Sequence, residues 1–260
     1  AILGAGLGLS LAGYKAMVEM QFADFVSMGF NQIVNNLAKL HYRWGAKADV
    51  VIRMPTGGGS GAGPFHSQST EGWFTHTPGL KVVYPATPTD AKGLLTAAIE
   101  DPNPVMYFEH KALYRSQAEP VYSDYYTLEI GKARVVRRGS EVSIITYGAG
   151  VHWALEALDA QPGIDGEVVD LRTLVPWHQE TVMTSVWKTG KVLVLEEAVE
   201  TGSFGATIAA FISEHAFEYL DGPVMRVSSL DTPVPFNKAL EDSFLPKHRL
   251  AEKLAALAAY

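Results

Sequence analysis

The sequence predicts an α/β fold: two three-layer α/β domains in series. Short runs of β-branched and apolar residues alternate with segments of helical period, and the alternation lapses once near the middle. At 260 residues the chain also exceeds the usual domain size of roughly 100 to 150 residues. The opening stretch, Ala1 to Ser10, has no initiator methionine and reads as a helix already under way, so upstream sequence is expected. Ala16 to Met20, Val50 to Met54, Lys81 to Tyr84 and Val105 to Phe108 then read as buried strands, with a helix from Phe30 to His41. The helix from Pro88 to Ile99 carries Ala91, Leu94, Leu95, Ala98 and Ile99 on one face. Thr87 is its expected N-cap, Pro88 its first helical residue, and Asp90 lies near the positive end of its dipole. Glu109 to Leu128 has little period and reads as a linker, which divides the chain into residues 1–122 and 123–260.

A second alternating series follows. Strands are expected at Val142 to Tyr147, Glu167 to Leu171, Lys191 to Glu196 and Val224 to Val227, and helices at Ala149 to Ala160, His178 to Lys188 and Gly205 to His215. The final segment, Lys247 to Ala259, places Leu250, Leu254 and Leu257 on one stripe that docks on the second domain or on a neighbour.

Composition removes several classes of function. Hydrophobic residues make up 47% and charged residues 19%, so the chain has the makings of a packed core. With 21 Lys and Arg against 28 Asp and Glu, a net charge of -7 offers nothing to a phosphate backbone, and nucleic acid is not an expected partner. There is no cysteine, which excludes disulfides, thiolate metal sites and a thiol nucleophile. The apolar runs fall far short of the ~20 residues of a membrane helix, and no membrane association is expected.

The most informative segment is Pro55 to Ser69, where five glycines fall within the seven residues Gly57 to Gly63. Such a run permits positive φ and a close approach by a ligand or another stretch of chain, at an entropic cost that a plain connector rarely carries. Its place after a predicted strand puts it at the carboxyl edge of a parallel sheet, where open α/β folds bind ligands. It matches neither the phosphate-loop nor the dinucleotide pattern. His66 ends this segment and can act as a proton carrier, the alternative being a hydrogen-bonded loop histidine. The other histidines lack ligand spacing for zinc, and Ser67 and Ser69 lack the context of a nucleophile elbow. Glu19 to Phe25 reads as a strand running into a loop, whose aromatics would ordinarily fill core. Ile99 to Pro104 looks like a helix exit shaped by Asp101 and Asn103, with oxygens that could also hold a hard cation. Glu196-Glu197 ends a strand and is either at a functional edge or exposed to solvent.

These landmarks resemble the β chain of thiamine-diphosphate-dependent 2-oxo acid dehydrogenases. The resemblance rests on MQFADF (Met20 to Phe25), GGGSGAGPFHSQSTE (Gly57 to Glu71), HTPGLKVVYPATPTDAKGLL (His76 to Leu95), DPNPVMYFEHKALYR (Asp101 to Arg115), IGKARVVRRG (Ile130 to Gly139) and DTPVPFNKALED (Asp231 to Asp242). It implies a transketolase-type pyrimidine-binding domain, incomplete at its N-terminus, followed by a transketolase C-terminal domain. It also implies thiamine diphosphate lying between an α and a β chain, with diphosphate and Mg²⁺ on the α chain and the aminopyrimidine on the β chain. Consistent with that division, the sequence contains no Gly-Asp-Gly followed by Asn-Asn. By position, Phe25 would stack on the aminopyrimidine, Gln21 would line the same pocket and His66 would face the reacting group. A structural K⁺ would sit on carbonyls at Val50, Ala98 and Ile99, near Asp101 and Asn103. The C-terminal domain, with Asp231 to Phe236 and the last helix, would face the subunit interface and the lipoyl-bearing acyltransferase core.

The implied activity is oxidative decarboxylation of a 2-oxo acid with acyl transfer to a lipoyl group, in an α₂β₂ assembly. FEHKALYR leans toward branched-chain substrates over pyruvate. The glutamate that serves the aminopyrimidine in this family falls upstream of MQFADF by about a strand and a helix, a position before Ala1. Two other readings remain: a transketolase-like or deoxyxylulose-phosphate-synthase-like ketol transferase, and a truncated assembly module without catalysis. The compartment expected is the cytoplasm of a bacterium or the matrix of a mitochondrion.

Overall fold

The computed structural model describes residues 1–260. Its first half runs α1 (Ile2–Leu11), β1 (Ala16–Glu19), a 3₁₀ segment (Ala23–Gly29), a π-helical segment (Gln32–Leu37), α2 (Ala38–Trp44), β2 (Val50–Thr56), α3 (Glu71–Thr75), β3 (Lys81–Val83), α4 (Pro88–Glu100), β4 (Val105–His110) and α5 (Leu113–Ser116). The second half runs β5 (Arg134–Arg137), β6 (Val142–Thr146), α6 (Ala149–Asp159), β7 (Gly166–Asp170), β8 (Thr173–Val175), α7 (Gln179–Thr189), β9 (Val192–Val199), α8 (Phe204–His215), β10 (Met225–Ser229), α9 (Lys238–Phe244) and α10 (Lys247–Ala258). No helix is long and apolar enough to cross a membrane.

Strands buried on both faces read as continuous apolar runs because helices cover both sides of a parallel sheet. β4, Val-Met-Tyr-Phe-Glu-His, is buried at every residue. The first sheet has the order β1-β2-β4-β3-β8 and the second β10-β9-β6-β7-β5. All neighbours are parallel except two edge strands, β8 against β3 and β5 against β7. β8 belongs to the second half of the sequence yet closes the first sheet, pairing Val175 with Val82 and Thr173 with Val83. The two halves are therefore joined by hydrogen bonds as well as by packing. One apolar cluster crosses the boundary, taking Tyr84 and Phe108 from the first sheet and Tyr147 and Val169 from the second.

The expected cap of α4 is present, with Thr87 Oγ1 accepting from the N–H of Asp90 at 3.2 Å. Asp90 itself does more than answer a helix dipole. It is fully buried and pairs with Arg172 at 2.8 Å and Arg134 at 3.0 Å, both from the other half of the chain. The expected linker is only partly one. Glu109 and His110 complete β4, α5 follows, and residues further on are strapped to α4 by Leu128 N–H to Gly93 O (3.0 Å) and Tyr126 Oη to Thr89 O (2.9 Å). Tyrosines and leucines without a helical period here are anchors for an irregular strap, which period counting does not detect. Helix α10 buries Leu250, Leu254 and Leu257 against the second sheet.

Candidate active site

β1 and β2 run parallel in register, Ala16 beside Val50 and Glu19 beside Arg53, so their carboxyl ends coincide. The chain leaving β1 and the glycine-rich chain leaving β2 are thereby delivered to the same edge of the sheet. Phe22 and Phe25 from the first meet His66 from the second. The ring of His66 stands edge-on to Phe22 at 4.8 Å and to Phe25 at 5.5 Å between centroids, and the two phenylalanines are themselves edge-to-face at 5.6 Å. Edge-to-face geometry is the favoured arrangement for such rings and fixes their planes. His66 is half-buried and held by aromatic edges, in place of the side-chain hydrogen bonds of an ordinary loop histidine.

The aromatics at this strand end do not simply fill core. Phe25 is 36% exposed beside the imidazole, and Gln21, four residues before it in the chain, is exposed. Asp24, which the sequence did not single out, is buried and organises the approach. Its Oδ1 accepts from the side-chain amide of Gln68 at 2.9 Å and from the Gln68 N–H at 3.2 Å. Lys111 lies behind, its ammonium 5.7 Å from the Phe22 ring centre and donating to Gly57 O at 2.5 Å.

The glycine-rich segment has φ of +91°, +88°, +69° and +72° at Gly57, Gly59, Gly61 and Gly63, the left-handed region where a Cβ is strained. What presses on it is the second half of this same chain. The N–H of Gly58 donates to Glu197 Oε1 at 2.6 Å, and those of Gly59 and Gly61 donate to Glu241 Oε1 and Oε2 at 2.8 and 2.9 Å. Glu197 also accepts from Ser69 at 3.3 Å and pairs with His110 Nε2 at 2.5 Å. These amides are thus already occupied, and the segment is not a cradle for phosphate.

Glu196 and Glu197 at the end of β9 are both buried, which overturns solvent exposure as their explanation. Glu196 is satisfied by Gly205 N–H at 2.7 Å, by the hydroxyls of Ser203 and Ser228, and by Tyr147 Oη at 3.3 Å. Glu71 receives one hydrogen bond from another side chain, from Tyr147 Oη at 2.9 Å. Burial pushes the Glu71 carboxyl up to about 7, against the pull of its own N–H and of Tyr147, and Glu196 and Glu197 add to the rise. Burial acts on Glu197 in the same sense, but His110, the Gly58 N–H and Lys111 outweigh it and hold this carboxyl below its usual value.

The residues set apart for a cation lie elsewhere. Val50 begins β2, Ala98 and Ile99 end α4, and Asp101 and Asn103 form the turn into β4, so all five sit toward the amino edge of the first sheet, opposite His66. Asp101 is committed within the chain, to Lys81 through one oxygen and to the N–H and amide of Asn103 through the other, at 2.9 and 2.8 Å. Of the predicted site residues, then, the structure brings Phe25 and His66 together, with Gln21 exposed in the segment that follows β1. It gathers the other five at the far edge.

Comparison with known proteins identifies both halves of the chain. Residues 1–117 match the transketolase pyrimidine-binding domain and residues 131–249 match the transketolase C-terminal domain. The chain is 44% identical to the 2-oxoisovalerate dehydrogenase subunit beta 2 of Arabidopsis thaliana mitochondria, across all of this chain and 74% of that protein. It is equally 44% identical to the pyruvate dehydrogenase E1 component subunit beta of Bacillus subtilis, across 95% of this chain and 77% of that one. Among solved structures, a split-gene transketolase described as an inactive β4 tetramer superposes with a TM-score of 0.79 at 26% identity, covering 99% of this chain and 80% of its own. An aromatic-lined carboxyl edge in a pyrimidine-binding domain, with dehydrogenase subunits as near relatives, places this chain in the family of 2-oxo acid dehydrogenase E1 β subunits.

Proposed function

We propose that this chain supplies the aminopyrimidine half of a thiamine diphosphate site that an α subunit completes. The component so formed decarboxylates a 2-oxo acid oxidatively and passes the acyl group to a lipoyl group on an acyltransferase core. The observation that carries this reading is the partly exposed ring of Phe25 set against the His66 imidazole at the carboxyl edge of the sheet. A flat heterocycle fits there, since stacking needs an open aromatic face and a fixed ring plane. Bound thiamine diphosphate would supply the nucleophilic carbon and the electron sink that decarboxylation requires. Phe25 would hold the aminopyrimidine, Gln21 would line its edge, and the imidazole of His66 would give and take a proton at the reacting carbon's substituents.

The diphosphate and its Mg²⁺ would be held by the α chain, because the nearest run of backbone N–H groups in this chain is turned toward Glu197 and Glu241. Such sharing makes an α₂β₂ assembly the natural one. At the opposite edge, the carbonyls ending α4 suit K⁺. Pro102 has no N–H to close the helical bond to Ala98, the Asn103 N–H is spent on Asp101, and the helix dipole favours a cation there. Val50 would add its carbonyl, with Asp101 and Asn103 shaping the turn.

For the substrate we favour a branched-chain 2-oxo acid, with pyruvate next; equal identity to relatives of both kinds leaves FEHKALYR as the only lean. The protein would work in a bacterial cytoplasm or a mitochondrial matrix. The test is His66→Ala in the full-length β chain assembled with its α partner. Lipoyl acylation is expected to fall by about a hundredfold or more, with thiamine diphosphate affinity and thermal midpoint unchanged. Acylation at the wild-type rate would remove His66 from the mechanism.

A further inference from the structure

The segment that carries His66 has no regular structure of its own between β2 and α3, so its shape must come from what it touches. Its own domain holds the C-terminal end, through Asp24 and Thr56 on Gln68, and the glycines are held by three contacts from the C-terminal domain. Glu197 on β9 accepts from Gly58 and Ser69, and Glu241 on α9 spans Gly59 and Gly61 with its two oxygens. The ring of Phe236 lies where a Cβ on Gly63 would be, 2.3 Å from the position that atom would take. The last contact passes directly to the histidine, because the His66 N–H bonds Gly63 O at 3.3 Å.

The chemistry of Glu241 argues for orientation over stability. Its carboxylate is fully buried, and its side-chain partners are two peptide N–H groups with no lysine or arginine in ion-pair range. Burying a charge on those terms costs free energy that apolar packing of a loop would not. Charge-assisted bonds to two alternate N–H groups, however, fix the direction of the backbone between them.

We propose that Glu241, with Phe236 and Glu197, is a positioning residue of the C-terminal domain that sets where His66 stands over the reacting centre of the neighbouring domain. This inference rests on the catalytic role proposed for His66. The C-terminal domain is then part of the acyl-transfer machinery as well as a subunit-contact module.

A double-mutant cycle on the assembled full-length enzyme separates the possibilities. Glu241→Ala is expected to lower kcat for lipoyl acylation by about tenfold to a hundredfold, the scale of a displacement near one ångström. KM for the 2-oxo acid should stay within about threefold, and Glu241→Gln, which keeps one acceptor oxygen, should fall between. In a His66→Ala background the same change should cost less than about twofold. Equal losses in both backgrounds, or Glu241→Ala within about twofold of wild type, would overturn the inference while leaving the role of His66 intact. His66→Ala at the wild-type rate would remove both. If Glu241→Ala does not assemble, Phe236→Ala, a change at a 62% exposed side chain, carries the same cycle with the same criteria.

Discussion

Glu71 and Glu197 are both buried carboxyl groups at the junction of the two sheets, and their neighbours drive them in opposite directions. Glu197 faces His110 and Lys111 and accepts a peptide N–H, so it is held ionised. Glu71 meets its own N–H, a tyrosine hydroxyl and two other acids, and burial lifts it from the ordinary 4.5 to about 7. The folded protein therefore keeps a proton on Glu71 that the unfolded chain has released. That contribution to stability is whole below pH 4.5 and is lost as the pH rises through about 7. Glu71→Gln, which cannot titrate, should gain on the wild type between pH 5 and pH 8 by on the order of 3 kcal/mol. Denaturation midpoints measured across that range check this, and parallel curves would count against it. Neither role was legible in the sequence. Glu71 closes a glycine-rich stretch, and Glu196-Glu197 looks equally like an exposed pair, because the groups that desolvate them come from strands far away in the chain.

Elements were more legible than residues where one period governs a segment. β2, β4, β6 and β9 announce themselves as buried apolar runs, and α4 by its stripe, cap and proline. What escaped were short elements whose reason is tertiary. β8 is three residues that pair antiparallel across the domain boundary, and β5 is half-buried at each of its four residues. α9 has seven residues started by an Asn237 cap, and it brings Glu241 to the loop. The glycine-rich segment was legible as a place of close approach, whereas the partner that approaches was not. Gly63→Ala tests that contact. Both Gly63 (φ +72°) and Gly45 (φ +66°) are left-handed, but a Cβ at Gly45 meets nothing within 4 Å while one at Gly63 meets the Phe236 ring. Each alanine should cost about 1 kcal/mol for its backbone, and Gly63→Ala should cost about 1–3 kcal/mol more for overpacking. Equal losses in urea denaturation would mean that Phe236 simply moves aside.

The molecule as a whole ties two parallel-dominated sheets together so firmly that the boundary in the sequence is not the boundary in space. Asp90 reaches Arg134 and Arg172, β8 crosses to the first sheet, and Tyr84 packs on Tyr147 at 5.3 Å. That union aims the C-terminal carboxylates at the loop bearing His66 and uses up the amides that might have held phosphate. In the function proposed, the aromatic edge at Phe25 would take the aminopyrimidine and an α subunit would supply the charged half of the site. The most direct measurement is a calorimetric titration of thiamine diphosphate into the assembled α and full-length β complex, wild type against Phe25→Ala. Loss of the stacking face should weaken binding by about tenfold, the scale of one aromatic contact. Affinity unchanged by the substitution would place the cofactor elsewhere and contradict the account.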